Sequence, residues 1–290
     1  MNAVPVIFYE RFFSSFEGEK PLLVACALSG RIGKIASEFY KRGFYHCVRI
    51  TNGKLEEEAN LNWKDQRVDL KTTSRKHFHR TAIAISAGKP IYSTDTVAVQ
   101  KVSSAARGKR VLLNLKTSNI SDKIGKCVES IQFCYYLKLS TAFTSTVLRI
   151  FQSIVRKNTL NCLSLNVDVE INGQTTQLLA DLLKQNQFHK MFLYGRLQVT
   201  KVIKDIIASW NENSEEMVGK QIFCQSNVGI LELLNEFGFQ EDDERNVERT
   251  NAVYSNDISN SYVLRSRKEA RSLFCILRTN CLFKTLFVFA

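Results

Sequence analysis

Hydrophobic residues recur two positions apart in four short segments in the second half of the chain, and an amphipathic segment follows each of them. The four segments begin about 26 to 31 residues apart: Leu137-Lys138-Leu139, Leu163-Ser164-Leu165, Met191-Phe192-Leu193 and Ile222-Phe223-Cys224. In each segment the outer two residues share one face of a strand. Because one β-α unit cannot cover its own apolar face, the pattern predicts stacked repeats with a mostly parallel sheet and an open surface for another protein.

The segments that follow these strand cores carry apolar residues three and four positions apart, as on one face of an α-helix. Four apolar stripes are predicted: Phe143, Val147, Leu148, Phe151, Ile154 and Val155; Leu178, Leu179, Leu182 and Leu183; Val199, Val202, Ile203, Ile206, Ile207 and Trp210; and Ile230, Leu231, Leu233, Leu234 and Phe237. Asn172 and Asn227 are suited to helix starts, and Gly238 to a helix end. We expect the stripes to form the core.

The first half of the chain is organised differently, with two predicted helices followed by short strands. Pro5 suits a first helical position, and the helices are expected over residues 6–16 and 31–40. Asn52-Gly53 is a strong hairpin signal. The predicted strands are Tyr45 to Ile50, Lys54 to Leu61, Thr81 to Ala87, Thr96 to Val102 and Val111 to Leu115. The acidic runs at 56–58 and 241–244 are expected to form solvated turns.

These patterns predict an α/β protein in three parts. Residues 1–44 form short helices, residues 45–127 a basic β-rich block, and residues 128–290 about four β-α repeats followed by C-terminal strands. The apolar run from Leu286 to Phe289 is consistent with a final strand or with a poorly defined terminus. The sequence leaves both alternatives open.

Composition indicates a globular chain. It has 290 residues, of which 44% are hydrophobic and 23% charged, enough to bury a sizeable core. The first thirteen residues lack the basic start of a signal peptide. The most apolar stretch, Ser272 to Ala290, is interrupted by Arg278 and Lys284 and is not expected to span a membrane. We therefore expect a soluble intracellular protein, cytoplasmic or nuclear, with no membrane partner.

The eight cysteines are scattered singly, with no Cys-x-x-Cys pair, so we expect buried free thiols rather than disulfides or a zinc site. His77 and His79 would share one strand face, but a second pair of ligands at a useful spacing is missing. Gly33-Lys34 is followed by Ile35 and not by the Ser or Thr of a phosphate-binding loop. No catalytic residue, metal or cofactor is therefore predicted, and we expect a protein that is not an enzyme.

Positive charge is concentrated in one region. The formal net charge is +12, and residues 64–110 hold eleven Lys or Arg against three Asp, a local charge of +8. Cations interleaved with an aromatic ring can bind nucleic acid, whose phosphates they neutralise. The residues that would do so are Lys71, Arg75, Lys76, Phe78, Arg80, Lys109 and Arg110. A solvated surface or a charge-protected edge strand is the competing interpretation.

The opening Val4-Pro5, followed by Phe8, Phe12, Phe13 and Phe16, resembles the start of an F-box. The order of parts over nearly the whole chain resembles the nematode families of F-box-like proteins, which carry a C-terminal F-box-associated domain. The most similar stretches are Val218-Gly219-Lys220-Gln221-Ile222, Gly229 to Leu234, and Phe237-Gly238-Phe239. The usual tryptophan near the last F-box helix is missing from Ser37 to Arg42.

The resemblance implies a substrate-recognition adaptor of a Skp-cullin-F-box type ubiquitin ligase, with a degenerate leucine-rich-repeat-like arc. The N-terminal motif would dock on a Skp-type adaptor joined to a cullin, and the repeats would hold a protein target. The docking residues would be Val4, Pro5, Phe8, Phe12, Phe13 and Phe16. A basic scaffold that binds nucleic acid through the Lys71 to Arg110 region is the alternative function.

Overall fold

The computed structural model describes residues 8–9, 12–13, 19–71, 73–74, 78–87, 95–107, 110–166, 168, 171–195, 198–212, 214–241, 258–265, 272–278 and 285–290. The chain divides into two compact units. The first contains Met1–Asn114 and Ser121–Phe133, and the second contains Leu115–Ile120 and Cys134–Ala290. Both units combine helices with strands, which confirms the predicted α/β class.

Beyond the helical residues at 8–9 and 12–13, the first unit has four helices and four strands in its described part, and the last of these strands ends at Leu115 of the second unit. They are α1 (Glu19–Cys26), α2 (Gly30–Arg42), β1 (Phe44–Thr51), β2 (Lys54–Asn62), β3 (Phe78–Ser86), α3 (Thr96–Ala106), β4 (Val111–Leu115) and α4 (Asp122–Glu129). The strand order is β2-β1-β3-β4, and β1 pairs antiparallel with β2 and parallel with β3. Asn52 and Gly53 both have positive φ, at 52° and 75°, as the predicted hairpin turn requires.

The strand prediction for Thr96 to Val102 is wrong, because this segment begins helix α3. The Asp95 side chain caps the helix by accepting a hydrogen bond from the Val97 N–H at 2.9 Å. Its buried residues recur at helical spacing and continue past the predicted strand: Ala98, Val102, Ala105 and Ala106. Val97, which belongs to the alternating Thr-Val-Ala-Val pattern, is 45% exposed. The buried residues therefore follow the helical period and not the two-residue period of a strand.

The run Glu56-Glu57-Glu58 is also not a turn, since it lies inside strand β2. Its carboxylates have partners on neighbouring elements. Glu57 pairs with Arg49 across the β1–β2 hairpin at 2.9 Å, and Glu58 pairs with Lys101 of α3 at 2.7 Å. Opposite charges that face each other across strands favour pairing, and the cations beside Glu57 and Glu58 offset the repulsion within the acidic run.

The second unit holds the predicted repeats. Its elements are β5 (Cys134–Leu139), α5 (Ser145–Arg156), β6 (Cys162–Asn166), α6 (Gly173–Leu183), β7 (Lys190–Tyr194), α7 (Val199–Glu212), a 3-10 turn (Ser214–Met217), β8 (Gln221–Cys224), α8 (Ile230–Phe237), β9 (Gln240–Glu241), β10 (Ile258–Arg265), β11 (Ser272–Arg278) and β12 (Thr285–Phe289). The strand order is β5-β6-β7-β8-β12-β11-β10-β9. The four predicted β-α units are thus confirmed.

The strands of this unit pair in two different ways. Strands β5 to β8 are parallel, in the registers Leu137↔Leu163↔Met191↔Ile222 and Leu139↔Leu165↔Leu193↔Cys224. From β8 onward all pairs are antiparallel. The run from Leu286 to Phe289 lies in β12, between β8 and β11, and its side chains are buried. Of the two alternatives for the C-terminal run, the structure therefore shows the strand.

The predicted apolar stripes supply most of the core of the second unit. All six residues of the third stripe are buried in α7, and Gly238 ends α8 in the left-handed conformation with φ of 75°. Three stripe residues are only half-buried, namely Leu148, Leu178 and Phe237, and two others depart further from the prediction. Phe143 precedes α5, although its ring packs 6.0 Å from that of Phe151, and Leu231 is 49% exposed.

Candidate protein-interaction surfaces

The N-terminal helical segment has a small core of its own. Phe13 is fully buried in it, together with one residue pair from each of the following helices: Leu22 and Ala25 of α1, and Ala36 and Phe39 of α2. The rings of Phe13 and Phe39 lie 6.1 Å apart. Helix α1 was not predicted from the sequence. Phe13, predicted as a docking residue, is 0% exposed and so belongs to this core rather than to a binding surface.

Large apolar side chains are exposed on the same segment. Of the eleven exposed large apolar residues in the described parts of the chain, five lie within the first 28 residues. We call these five the N-terminal apolar group: Phe8, Phe12, Leu23, Val24 and Leu28, with exposures of 56%, 47%, 44%, 72% and 54%. The rings of Phe8 and Phe12 are parallel, 6.4 Å apart. Val4, Pro5 and Phe16 of the predicted docking set lie outside the described residues.

A cleft of about 580 Å³ lies next to part of the N-terminal apolar group. Its wall includes Leu28 and the exposed side of α2, where Lys34, Lys41 and Arg42 contribute positive charge. Arg42 pairs with Glu38 one turn earlier at 3.4 Å. Leu28 therefore borders a cleft whose wall is mainly polar, with three cations and the carboxylate of Glu38.

A second candidate surface is the side of the β5–β8 sheet that carries no helix. A helix connects each of these parallel strands to the next, and the strands follow one another in chain order across the sheet. Right-handed crossovers therefore place all of these helices on the same side of the sheet. The helices accordingly contact their neighbours in chain order, α5 with α6, α6 with α7 and α7 with α8. The inward side of the strands holds the leucine registers described above. The other side we call the open sheet face: Tyr136, Lys138, Lys190, Phe192, Tyr194 and Phe223.

The open sheet face is built from aromatic rings and lysines. Phe192 and Phe223 lie opposite each other on β7 and β8, and their rings stack with centroids 4.8 Å apart. The Lys138 ammonium lies 5.6 Å from the centroid of the Tyr194 ring, a distance typical of a cation–π contact. All four rings of this face are half-buried, and Lys190 is exposed. Such amphipathic aromatic surfaces are enriched at protein interfaces.

Arg80, a residue of the predicted nucleic-acid set, is engaged with aromatic rings of the first unit. Its guanidinium lies 5.4 Å from the Tyr45 ring centroid and 5.8 Å from that of Trp63. The Tyr45 hydroxyl in turn donates a hydrogen bond to Asp65, and burial together with this carboxylate raises the pKa of Tyr45. Arg80 thus contributes to packing between β1 and the residues that follow β2.

The remaining described members of that set lie on different elements. Phe78 packs on β3 with its ring 5.7 Å from that of Phe44, Lys71 is exposed in the turn after β2, and Arg110 is half-buried just before β4. Arg75, Lys76 and Lys109 lie outside the described residues. Nucleic-acid binding by this region stays a prediction.

The histidine and cysteine side chains are mostly packed rather than exposed. His79 is 6% exposed, and its ring lies 4.7 Å from that of Trp63; His77 lies outside the described residues. Five of the seven described cysteines are buried, and burial raises the pKa of Cys224 and Cys275. Within the described ranges no cluster of His, Cys, Asp or Glu has the makings of a metal site.

Comparison with known proteins gives no relative. No protein-family model matches the chain, and neither the curated proteins nor the solved structures give a significant match. The helices in the described part of the chain include none with the length and apolar character needed to cross a membrane. The candidate functional sites are therefore the N-terminal apolar group and the open sheet face.

Proposed function

We propose that this chain is a non-enzymatic protein-interaction protein that acts as a substrate-recognition adaptor of a Skp-cullin-F-box type ubiquitin ligase. The observation that carries the proposal is the concentration of exposed apolar side chains in the N-terminal apolar group. Grouped apolar exposure on a soluble surface is typical of a site that a partner covers. The position of this group just after the F-box-like Val4-Pro5 opening supports a Skp-type adaptor as the partner.

Each of the two candidate surfaces would bind a different protein. Phe8 and Phe12, whose stacked rings leave about half of each side chain exposed, would enter an apolar groove of the Skp-type adaptor. The open sheet face would hold the target protein, which the cullin-bound enzyme then modifies. The two surfaces belong to different units, so each can be altered by substitutions that leave the residues of the other unchanged.

Titration of the purified full chain with a purified Skp-type adaptor, followed by calorimetry, tests the proposal. The variant Phe8→Ala/Phe12→Ala is expected to weaken binding at least tenfold, because burial of each aromatic ring contributes about 1.5–3 kcal/mol. The matched control is Val228→Ala/Leu231→Ala, which removes two side chains of the second unit that are 65% and 49% exposed. The control should bind as the wild type does. Equal affinity of both variants, or no binding by the wild type, would contradict adaptor docking.

A further inference from the structure

Among the described residues, the open sheet face carries positive charge and no negative charge. Lys138 and Lys190 both project from it, while strands β5 to β8 and β10 to β12 contain neither Asp nor Glu. The described acidic residues of the second unit lie elsewhere, on helices, in the 3-10 turn, in the loop after β6 and on the edge strand β9. A ligand of this face therefore meets ammonium groups and aromatic rings without any competing carboxylate on the strands beneath it.

The arrangement of the rings favours a polypeptide over a nucleic acid. Nucleic-acid bases bind by stacking on the flat face of an aromatic ring. Here Phe192 and Phe223 stack on each other, and Lys138 lies over the Tyr194 ring. One face of each of these three rings is thus already in contact with another group of the protein, and Phe223 also packs against the buried cluster of Ile276, Leu286 and Val288. An incoming chain would therefore meet ring edges and lysines.

We propose that the open sheet face binds an acidic, extended segment of the target protein; this inference rests on the function proposed above. The register sets the spacing of its charges. Lys138 lies two strands away from Phe192, opposite Ser164 on the strand between them, and Lys190 is two residues before Phe192. With strands about 4.8 Å apart and a rise of about 3.3 Å per residue, the two lysine Cα atoms are about 12 Å apart.

An extended peptide covers that distance in about three or four residues. Because alternate residues of an extended chain share a face, the segment that fits best has acidic side chains four positions apart, with apolar residues on the same face near the ring pair Phe192 and Phe223. Its carboxylates would pair with the two ammonium groups, and its apolar side chains would pack against the ring edges.

Fluorescence anisotropy with the full chain and labelled peptides tests this inference. The probe is a peptide of four Glu-Ser-Leu-Ser repeats, which places the Glu and Leu side chains on one face of an extended chain, and its matched partner has Gln in place of each Glu. We expect the Glu peptide to bind about tenfold more tightly than the Gln peptide at low salt, and the difference to shrink as salt screens the charges. The variant Lys138→Gln/Lys190→Gln should remove the difference between the peptides.

The control variant Arg156→Gln/Lys201→Gln removes the same charge from exposed positions of α5 and α7 and should keep the preference for the Glu peptide. Equal affinity for both peptides, no binding of the Glu peptide, or a preference unaffected by Lys138→Gln/Lys190→Gln would overturn the inference. So would tighter binding of single-stranded oligouridine that depends on the same two lysines. Titration of the Lys138→Gln/Lys190→Gln variant with the Skp-type adaptor shows separately whether adaptor docking stands.

Discussion

The rings of Phe192 and Phe223 stack across strands β7 and β8, with centroids 4.8 Å and planes 16° apart. The two residues face each other in the parallel register of the repeats. A pair of this kind adds to the stability of the sheet, and both rings remain half-buried on the side that carries no helix. The same side chains therefore connect the fold of the repeats to the surface proposed to bind the target.

This stacking should appear as a coupling energy. In a double-mutant cycle of Phe192→Ala and Phe223→Ala, measured by urea unfolding, each single change should lower the free energy of unfolding. The double change should cost less than the sum by about 0.5–1.5 kcal/mol, since a ring pair contributes that much beyond burial. A parallel cycle of Phe192→Ala with Val228→Ala, which removes a side chain 65% exposed, should be additive. Additivity in both cycles would refute the contribution of stacking.

Gly195 should resist substitution by alanine. Its φ is +107°, and an added Cβ would lie 2.5 Å from the carboxylate of Asp168 in the loop after β6. Gly195→Ala should therefore lower the free energy of unfolding by more than about 1 kcal/mol. Gly173 at the start of α6 has open space around the same position, so Gly173→Ala should be neutral or slightly stabilising in the same thermal or urea unfolding assay. A Gly195→Ala protein as stable as wild type would show that the loop relaxes without cost.

Lys220 is buried, at 3% exposed, and its ammonium donates to three backbone carbonyls. The acceptors are Gln185 at 2.7 Å, Asn186 at 3.3 Å and Phe188 at 2.7 Å, all in the loop after α6. Lys220→Met keeps the apolar stem but leaves these carbonyls without their donor, and we expect a loss of about 1–3 kcal/mol in urea unfolding. The control Lys116→Met, at an exposed position, should change stability by less than about 0.5 kcal/mol. Equal losses for the two variants would contradict a structural role of the Lys220 ammonium.

His46 should make the stability of the chain depend on pH. Burial lowers the pKa of His46 below its usual 6.5. The Glu58 carboxylate, 3.5 Å away, raises this pKa, and the ammonium of Lys101, which pairs with the same carboxylate, lowers it. The folded protein therefore holds the proton less tightly than the unfolded chain does. This contribution to stability is present above the unfolded pKa of about 6.5 and is lost as pH falls through the lower folded pKa.

Urea unfolding at about pH 7.5 and about pH 5.5 checks this sign. The wild type should lose more stability between the two pH values than His46→Gln does, because the variant lacks the titrating ring. The variant itself provides the background from all other groups. A loss of the same size in both proteins would show that His46 does not contribute.

The repeats were predictable because their signals are local. Leu137 and Leu139, or Met191 and Leu193, alternate within three residues, and Val202, Ile206 and Trp210 mark one helical stripe. Thr96 to Val102 shows the limit of this reasoning. The alternating residues Val97 and Val99 fit the two-residue period of a strand, whereas the Asp95 cap and the buried series from Ala98 to Ala106 fit a helix. That series is present in the sequence, and its helical period extends over more residues than the alternation does.

Other features depend on contacts that are distant along the chain. The insertion of β12 between β8 and β11 joins residues some sixty positions apart, such as Thr285 and Cys224, and no local pattern specifies such a neighbour. The open sheet face also required the register, since Lys138, Ser164 and Phe192 fall into one row only when the strands are aligned. By contrast, the burial of Phe13 beside the exposed Phe12 reflects packing of helices α1 and α2, which the apolar spacing alone does not resolve.

The most direct test of the central claim is affinity purification of the tagged full chain from cells, with co-purifying proteins identified by mass spectrometry. We predict that a Skp-type adaptor and a cullin accompany the wild type and the Val228→Ala/Leu231→Ala control, and that both are lost from Phe8→Ala/Phe12→Ala. Recovery of adaptor and cullin with all three proteins, or with none of them, would contradict the proposal that the N-terminal apolar group docks this chain on a ubiquitin ligase.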